Sequence, residues 1–212
     1  MIISNKKTRT TTIQALVAML AIAGSSAASA TLLTTEINID NGFSAYISTS
    51  DSTAGTLFGS GNNWQISYNN SVTLNSGVDY YLHIYGYDQG GIAGFLGEFN
   101  LTGSDHQFAN NLTSLLTNTT DWVGNISGFN GAYGTLTDLG ANGVGPWGTQ
   151  SAIPSSAHWI WSGDATNNNV SYFSTKISAV QTVPEPESIS LVGLGLFFAS
   201  LRRRKLVSPK SN

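Results

Sequence analysis

The chain has 212 residues, no cysteine, and nine basic against twelve acidic side chains. Eight of the nine basic residues lie before residue 31 or after residue 182, so the segment between holds only Lys176 against ten carboxylates, a formal charge of −9. This excludes nucleic-acid binding, which needs clustered Lys and Arg to displace phosphate counterions, and disfavours anionic lipids and polyanionic glycans; the lack of cysteine excludes disulfides, thiol nucleophiles and Cys-based zinc sites.

Neutral sugars, divalent cations and other proteins remain as partners. At the N-terminus, Lys6, Lys7 and Arg9 form a positive region before the apolar stretch Ile13 to Ala23. Ala28-Ser29-Ala30 then supplies a small-x-small site, which predicts a signal helix cleaved between Ala30 and Thr31. The apolar stretch is shorter than the ~20 residues that a membrane span needs. Export follows as the expectation, with residues 1–30 removed and residues 31–182 as one domain of ordinary size.

That domain is written in Thr, Ser, Asn and Gly with aromatic and β-branched residues between them, the composition of short strands and polar loops. Thr34 to Ile39 and Phe43 to Ile47 alternate apolar and polar residues around Asp40-Asn41-Gly42, a strong hairpin signal. Strands are also predicted at Thr56 to Phe58 and Trp64 to Tyr68, flanking a loop from Gly59 to Asn63. Asp79 to Tyr87 reads as a central strand, with Tyr80, Leu82, Ile84 and Gly86 facing one way and Tyr81, His83, Tyr85 and Tyr87 the other. Gly94 to Leu101 is a further strand. Phe108, Leu112, Leu115 and Leu116 recur at three- and four-residue spacing and predict one short helix or turn. The glycine-rich stretch from Gly124 to Gly148 predicts a long loop region with at most short strands. Ala157 to Trp161 and Val170 to Ile177 close the set. Many short strands at roughly even spacing predict an all-β domain, a β-sandwich or jelly roll.

The C-terminus combines three unlike elements in order: Val183-Pro184-Glu185-Pro186-Glu187, the apolar run Ile189 to Leu201, and Arg202-Arg203-Arg204-Lys205. Pro184 and Pro186 fix φ and withhold a backbone donor, so neither a helix nor a central strand passes through them. The apolar run predicts a short transmembrane helix, and the basic cluster fixes which end stays in the cytoplasm. As a helix the run reaches only ~20 Å, which suits a tag held briefly better than a permanent anchor.

This tail resembles the PEP-CTERM sorting signal, the substrate tag of the exosortase system, over residues 183–205, with residues 206–212 following. The matching residues are Pro184, Glu185, Pro186, the run Leu191 to Leu196, and Arg202, Arg203 and Arg204. The resemblance implies recognition by an exosortase-type membrane cysteine peptidase, cleavage near the Pro-Glu-Pro, and transient membrane attachment before delivery to the cell surface or medium. It further implies a Gram-negative bacterium that makes extracellular polysaccharide or biofilm. In the middle of the chain, Asp40-Asn41-Gly42-Phe43 through Ile47, with Gly59-Ser60-Gly61-Asn62-Asn63-Trp64, resembles the opening of galactose-binding-like jelly-roll domains. Trp159 to Ser162 and Val170 to Thr175 are similar to their closing strands. Such domains serve sugar binding, adhesion or structure, and the fold does not choose among them.

Five tryptophans make neutral-sugar stacking the leading binding chemistry, with Asp and Asn taking hydroxyls. Trp64, Asp88 and Trp147 are the candidate ligand residues. Trp147 is expected to be the most exposed, because Gly145, Pro146 and Gly148 are loop formers, and Trp159 and Trp161 are expected to share one strand face. A glycoside hydrolase would need a carboxylate pair such as Asp88 and Glu98. His83, His106 and His158 form no helical pair for zinc, and no G-x-S-x-G elbow is present. The chain is therefore read as no enzyme, without catalytic residues, cofactor or metal cluster. A structural calcium remains open at Asp40, Asn41, Asp51, Asp88 or Asp164, which lie in or beside turns. The expected function is a structural or adhesive component of a polysaccharide layer, with a carbohydrate-binding module as the alternative.

Overall fold

The computed structural model describes residues 30–180. The predicted signal helix with Ala28, the Pro184-Glu185-Pro186 motif, the apolar run and Arg202 to Arg204 lie outside the described residues. Within them no helix is long and apolar enough to cross a membrane. Thr31, just after the predicted cut, opens the first strand.

Among the described residues there are twelve strands: β1 (Thr31–Asp40), β2 (Gly42–Ser48), β3 (Thr56–Gly61), β4 (Tyr68–Leu74), β5 (Tyr80–Tyr87), β6 (Gly94–Leu101), β7 (His106–Phe108), β8 (Ser114–Leu116), β9 (Val123–Asn125), β10 (Thr137–Ala141), β11 (His158–Trp161) and β12 (Val170–Ala179). They form two antiparallel sheets. The first runs β10-β11-β6-β1-β4 with β8 on β6, and the second β3-β2-β5-β12-β7 with β9 on β12. This is the expected all-β sandwich.

The period-2 pattern explains the core. On β1, Leu33, Ile37 and Ile39 point inward, and on β6 Phe95 and Phe99 do so from the neighbouring strand. Leu82 and Ile84 of β5 and Phe173 and Ile177 of β12 meet them from the second sheet. Trp122 fills the centre, edge-on to Phe95 at 5.2 Å and tilted against Phe99 at 5.0 Å. β5 lies between β2 and β12, the central place that its large side chains predict.

Four local expectations are corrected. Asp40-Asn41-Gly42 is no hairpin: β1 pairs with β4 and β6, whereas β2 pairs with β3 and β5. The three residues carry the chain from one sheet to the other, with the Asn41 N–H donating to Tyr87 O at 2.7 Å. Turn residues specify a change of direction, and the partners available to each strand decide whether a hairpin results. Secondly, Trp64 to Ser67 form a turn, and the strand is Tyr68–Leu74, which β1 pairs along seven residues. Gly59 and Gly61 sit inside β3 rather than in a loop. A Cβ on either would lie 2.5 Å from the side chain of Asn70 or Tyr68, so glycine permits the close approach of β3 and β4.

Thirdly, Phe108 ends β7 and Leu115 and Leu116 lie in β8, with residues 109–113 turning between them, so the helix alternative fails while the turn holds. Asn111 takes a positive φ of 62°, and Asn110 Oδ1 accepts the Leu112 N–H, local bonds that compete with a helix. Finally, Trp159 and Trp161 pack in different clusters. Trp161, the last residue of β11, packs edge-on against Phe173 at 5.5 Å, whereas Trp159 stacks on Trp147.

Candidate functional site

The outward rows of the second sheet follow from its register. Ser44, Tyr85, Tyr172 and Asn125 form one row across β2, β5, β12 and β9. Tyr46, His83, Ser174 and Val123 form the next, Tyr87 stands on one side of the pair of rows, and Tyr81 with Lys176 on the other. The inward alternates on these strands fill the core, so alternation alone forces this aromatic set outward.

One part of this face is sealed. Phe129, from the loop after β9, stacks on His83 at 4.6 Å and 17° and meets Tyr172 edge-on at 5.0 Å. His83 is fully buried beneath it, with Nε2 3.1 Å from Asp51 Oδ1 and Nδ1 3.3 Å from Ala54 O. Ser174 Oγ donates to the same Asp51 oxygen. The carboxylate therefore lies between hydroxyl and imidazole, whereas a Ser-His-Asp nucleophile needs the imidazole against the hydroxyl. The Tyr133 hydroxyl donates to Asp51 O at 3.2 Å. Burial, then the Asp51 charge, pushes its phenol up to about 12.

The other part is open. Tyr46, Tyr85, Tyr87 and Tyr172 are each half-buried, with Tyr85 tilted against Tyr172 at 5.1 Å and Tyr87 at 6.1 Å. Burial first, then the neighbouring Tyr172, Tyr87 and Tyr46, raises the Tyr85 phenol above its ordinary value. Lys176 is held 2.8 Å from Asp79, and its ammonium and that carboxylate shift each other's pKa up and down respectively. The open patch thus presents aromatic faces and neutral hydroxyls.

Trp147, expected to be exposed, is buried. It stacks on Trp159 at 4.4 Å and 19°, and its Nε1–H donates to Asp40 Oδ2 at 2.9 Å. Its loop folds over the first sheet's outer face, so loop-forming neighbours here build a cover instead of an exposed tip. Trp64 is half-buried against that same cluster. Asp88 is buried at the rim between the sheets, with Oδ2 accepting the Gly90 N–H at 3.0 Å. Trp64 and Trp147 thus share a packing cluster on the first sheet, while Asp88 closes the end of β5 on the second.

Asp88 and Glu98 stand on different sheets. Glu98 lies opposite Glu36 on the first sheet's outer face and lines a groove of about 420 Å³ with Ser114, Asn118 and Ser156. Of the residues considered for calcium, Asn41 lies against the end of β5, its N–H donating to Tyr87 O and its Oδ1 accepting the Gln89 N–H. Asp51 belongs to the His83 cluster, and Asp164 accepts from Thr166 N and Asn167 Nδ2 within its own turn. Among the described residues no three His, Asp or Glu side chains gather as a metal cluster.

Sequence reasoning looked for tryptophan and missed the tyrosine patch. The signal is present in Tyr81, His83, Tyr85 and Tyr87 alternating on one strand, a pattern that by itself argues only for a central strand.

The fold and this patch define an all-β sandwich with one covered and one open aromatic outer face. Residues 182–205 match the PEP-CTERM protein-sorting motif. The chain therefore carries the signal of a protein sorted by an exosortase-type membrane system, with export and transient anchoring before surface release. No curated protein and no solved structure matches the chain significantly.

Proposed function

We propose that the protein is a non-catalytic adhesive or structural component of an extracellular polysaccharide layer, and that the patch of Tyr46, Tyr85, Tyr87 and Tyr172 holds neutral sugar residues of that layer. The observation that carries this reading is the half-exposure of four phenols on one outer face of the second sheet, with Tyr85 set against both Tyr87 and Tyr172. Sugar rings offer apolar C–H faces to such rings, and phenol oxygens both donate to and accept from hydroxyls. The −9 charge of residues 31–182 suits a neutral polymer and repels an anionic one. The sorting tag supplies the address.

Retention of the full chain on immobilised neutral polysaccharides tests the reading. The double variant Tyr85→Ala/Tyr172→Ala is expected to lose roughly tenfold in affinity or more, since each ring contact is worth about 0.5–1.5 kcal/mol. Trp64→Ala is expected to bind like the parent. Loss confined to Trp64→Ala, or no retention on any neutral glycan, overturns the proposal. The address has its own test. Glu185→Ala and Pro186→Ala should leave the protein cell-retained with its tail uncut, and normal release of either variant counts against exosortase processing.

A further inference from the structure

Tyr85 and Tyr172 stand directly opposite each other on β5 and β12, a pairing that sets their Cβ atoms about 4.5–5.5 Å apart. Their ring centroids are 5.1 Å apart with the planes at 40°, within the range of aromatic contact, and both side chains are half-exposed. Phe129 packs edge-on against Tyr172 at 5.0 Å and helps to fix that ring. Tyr87 lies farther from Tyr85, at 6.1 Å, and leans over β2: a Cβ on Gly42 would fall 2.5 Å from its hydroxyl oxygen. β2 flanks β5 on the side away from β12, so Tyr87 leans away from Tyr172. The phenol pair at closest range therefore bridges β5 and β12.

The composition around this pair leaves it open to oxidation. Both methionines precede residue 31 and cysteine is absent, so residues 31–182 hold no sulfur to consume an oxidant. Trp122, Trp147, Trp159 and Trp161, the other readily oxidised side chains, are buried. An exported domain without cysteine also has no disulfide with which to tie its strands. Two half-exposed phenols in contact are what a one-electron oxidant meets on this face.

We propose that Tyr85 and Tyr172 form an oxidative cross-linking site, where hydrogen peroxide turned over by a peroxidase joins them as a dityrosine that staples β5 to β12. Each phenol gives up one electron and its hydroxyl proton to become a phenoxyl radical. The two radicals form one C–C bond between ring carbons ortho to the oxygens. Those carbons then release their hydrogens as protons while the oxygens regain theirs, which restores both phenols. The chain loses two hydrogen atoms in all, and the two electrons and two protons reduce one peroxide to two waters. The site rests on the geometry of the tyrosine pair and not on glycan binding.

The test is treatment of the full chain in detergent with hydrogen peroxide and a haem peroxidase, at low protein concentration and without glycan. The monomer is expected to gain the blue emission of dityrosine and to become lighter by two hydrogens. Cleavage after Asp and Glu is then expected to release residues 80–88 bonded to the peptide in which Tyr172 is the sole tyrosine, with fragmentation placing the bond on Tyr85. Tyr85→Phe and Tyr172→Phe keep the rings but cannot form the radical, and each is expected to lose the monomer's emission. Closing the chain between residues 85 and 172 removes loop entropy from the unfolded state, so the cross-linked monomer is expected to melt roughly 10 °C higher. Absence of dityrosine from the monomer, a bond mapped to Tyr46 or Tyr87, emission that survives Tyr172→Phe, or an unchanged melting temperature overturns the proposal. Glycan retention is measured on unoxidised protein, so a failure there and a failure here are separate results.

Discussion

On the first sheet the outward side chains Leu96 and Trp159 disappear beneath a cover that carries Trp147, Ile153 and Ala157, whereas on the second sheet Tyr85, Tyr87 and Tyr172 stay half open. Both faces begin from aromatic residues at alternate strand positions. The difference lies in what crosses above them. The cover on the first sheet is stitched by side-chain amides: Asn142 Nδ2 donates to Gln150 O and Ile153 O, the Gln150 N–H returns to Asn142 Oδ1 at 2.8 Å, and Gln150 Oε1 accepts from Asn38. Gly94 completes the fit, since a Cβ there would lie 2.7 Å from Trp147 and 2.9 Å from Trp159. On the second sheet Phe129 roofs His83 and meets Tyr46 and Tyr172 edge-on, leaving all four tyrosines half open. Aromatic content therefore does not distinguish core from surface in this domain. Loop anchoring does.

The largest expected effect breaks the comparison most directly. Trp159→Ala should destabilise the domain by about 3–5 kcal/mol, as emptying a packed aromatic site does, while Tyr85→Ala should cost about 1 kcal/mol. Chemical denaturation of both variants measures the pair. Equal losses would mean that the tyrosine face is core, and the glycan proposal would lose its surface.

The cover itself is the next target. Asn142→Ala strips partners from Gln150 and the Ile153 carbonyl within a buried network, and a loss of about 1–3 kcal/mol is expected. Trp147 emission should shift to the red and become open to acrylamide quenching, because the loop that buries the indole loses its tie. A loss of stability without any change in quenching would place the Asn142 contribution elsewhere than in holding the cover.

Much of the sandwich was legible because inward and outward residues alternate so regularly on β1, β5, β6 and β12. The centrality of β5 followed from Leu82 and Ile84 opposing Tyr81, His83 and Tyr85. The fate of each outer face was not legible, because it depends on contacts far apart in sequence. Nothing near Trp147 announces Trp159 or Gly94, and Gly145, Pro146 and Gly148 locally argue for exposure. The same limit explains the misread Asp40-Asn41-Gly42 turn, whose hydrogen bond goes to Tyr87 rather than across a hairpin. Local chemistry announced the turn, and pairing with distant strands gave it its role.

The smallest effect probes the sealed part of the second face. Tyr133 ties its loop to the Asp51 carbonyl, and burial pushes its phenol up to about 12 in the folded chain against 10.0 ordinarily. The group is charged when deprotonated, and its folded pKa is raised. Its contribution is therefore fully present below pH 10 and is lost as pH rises through the window from about 10 to about 12. Tyr85 shifts in the same direction, also through burial first, and adds to the same alkaline limb. Melting temperatures across that window should fall for the parent and fall less steeply for Tyr133→Phe, which cannot ionise. Because Tyr133 stands on the sealed side, its replacement should leave neutral-glycan retention unchanged while Tyr85→Ala/Tyr172→Ala reduces it. A Tyr133→Phe variant that lost retention together with its alkaline slope would join the two halves of the face into one unit, with Phe129 and its loop as part of the binding surface.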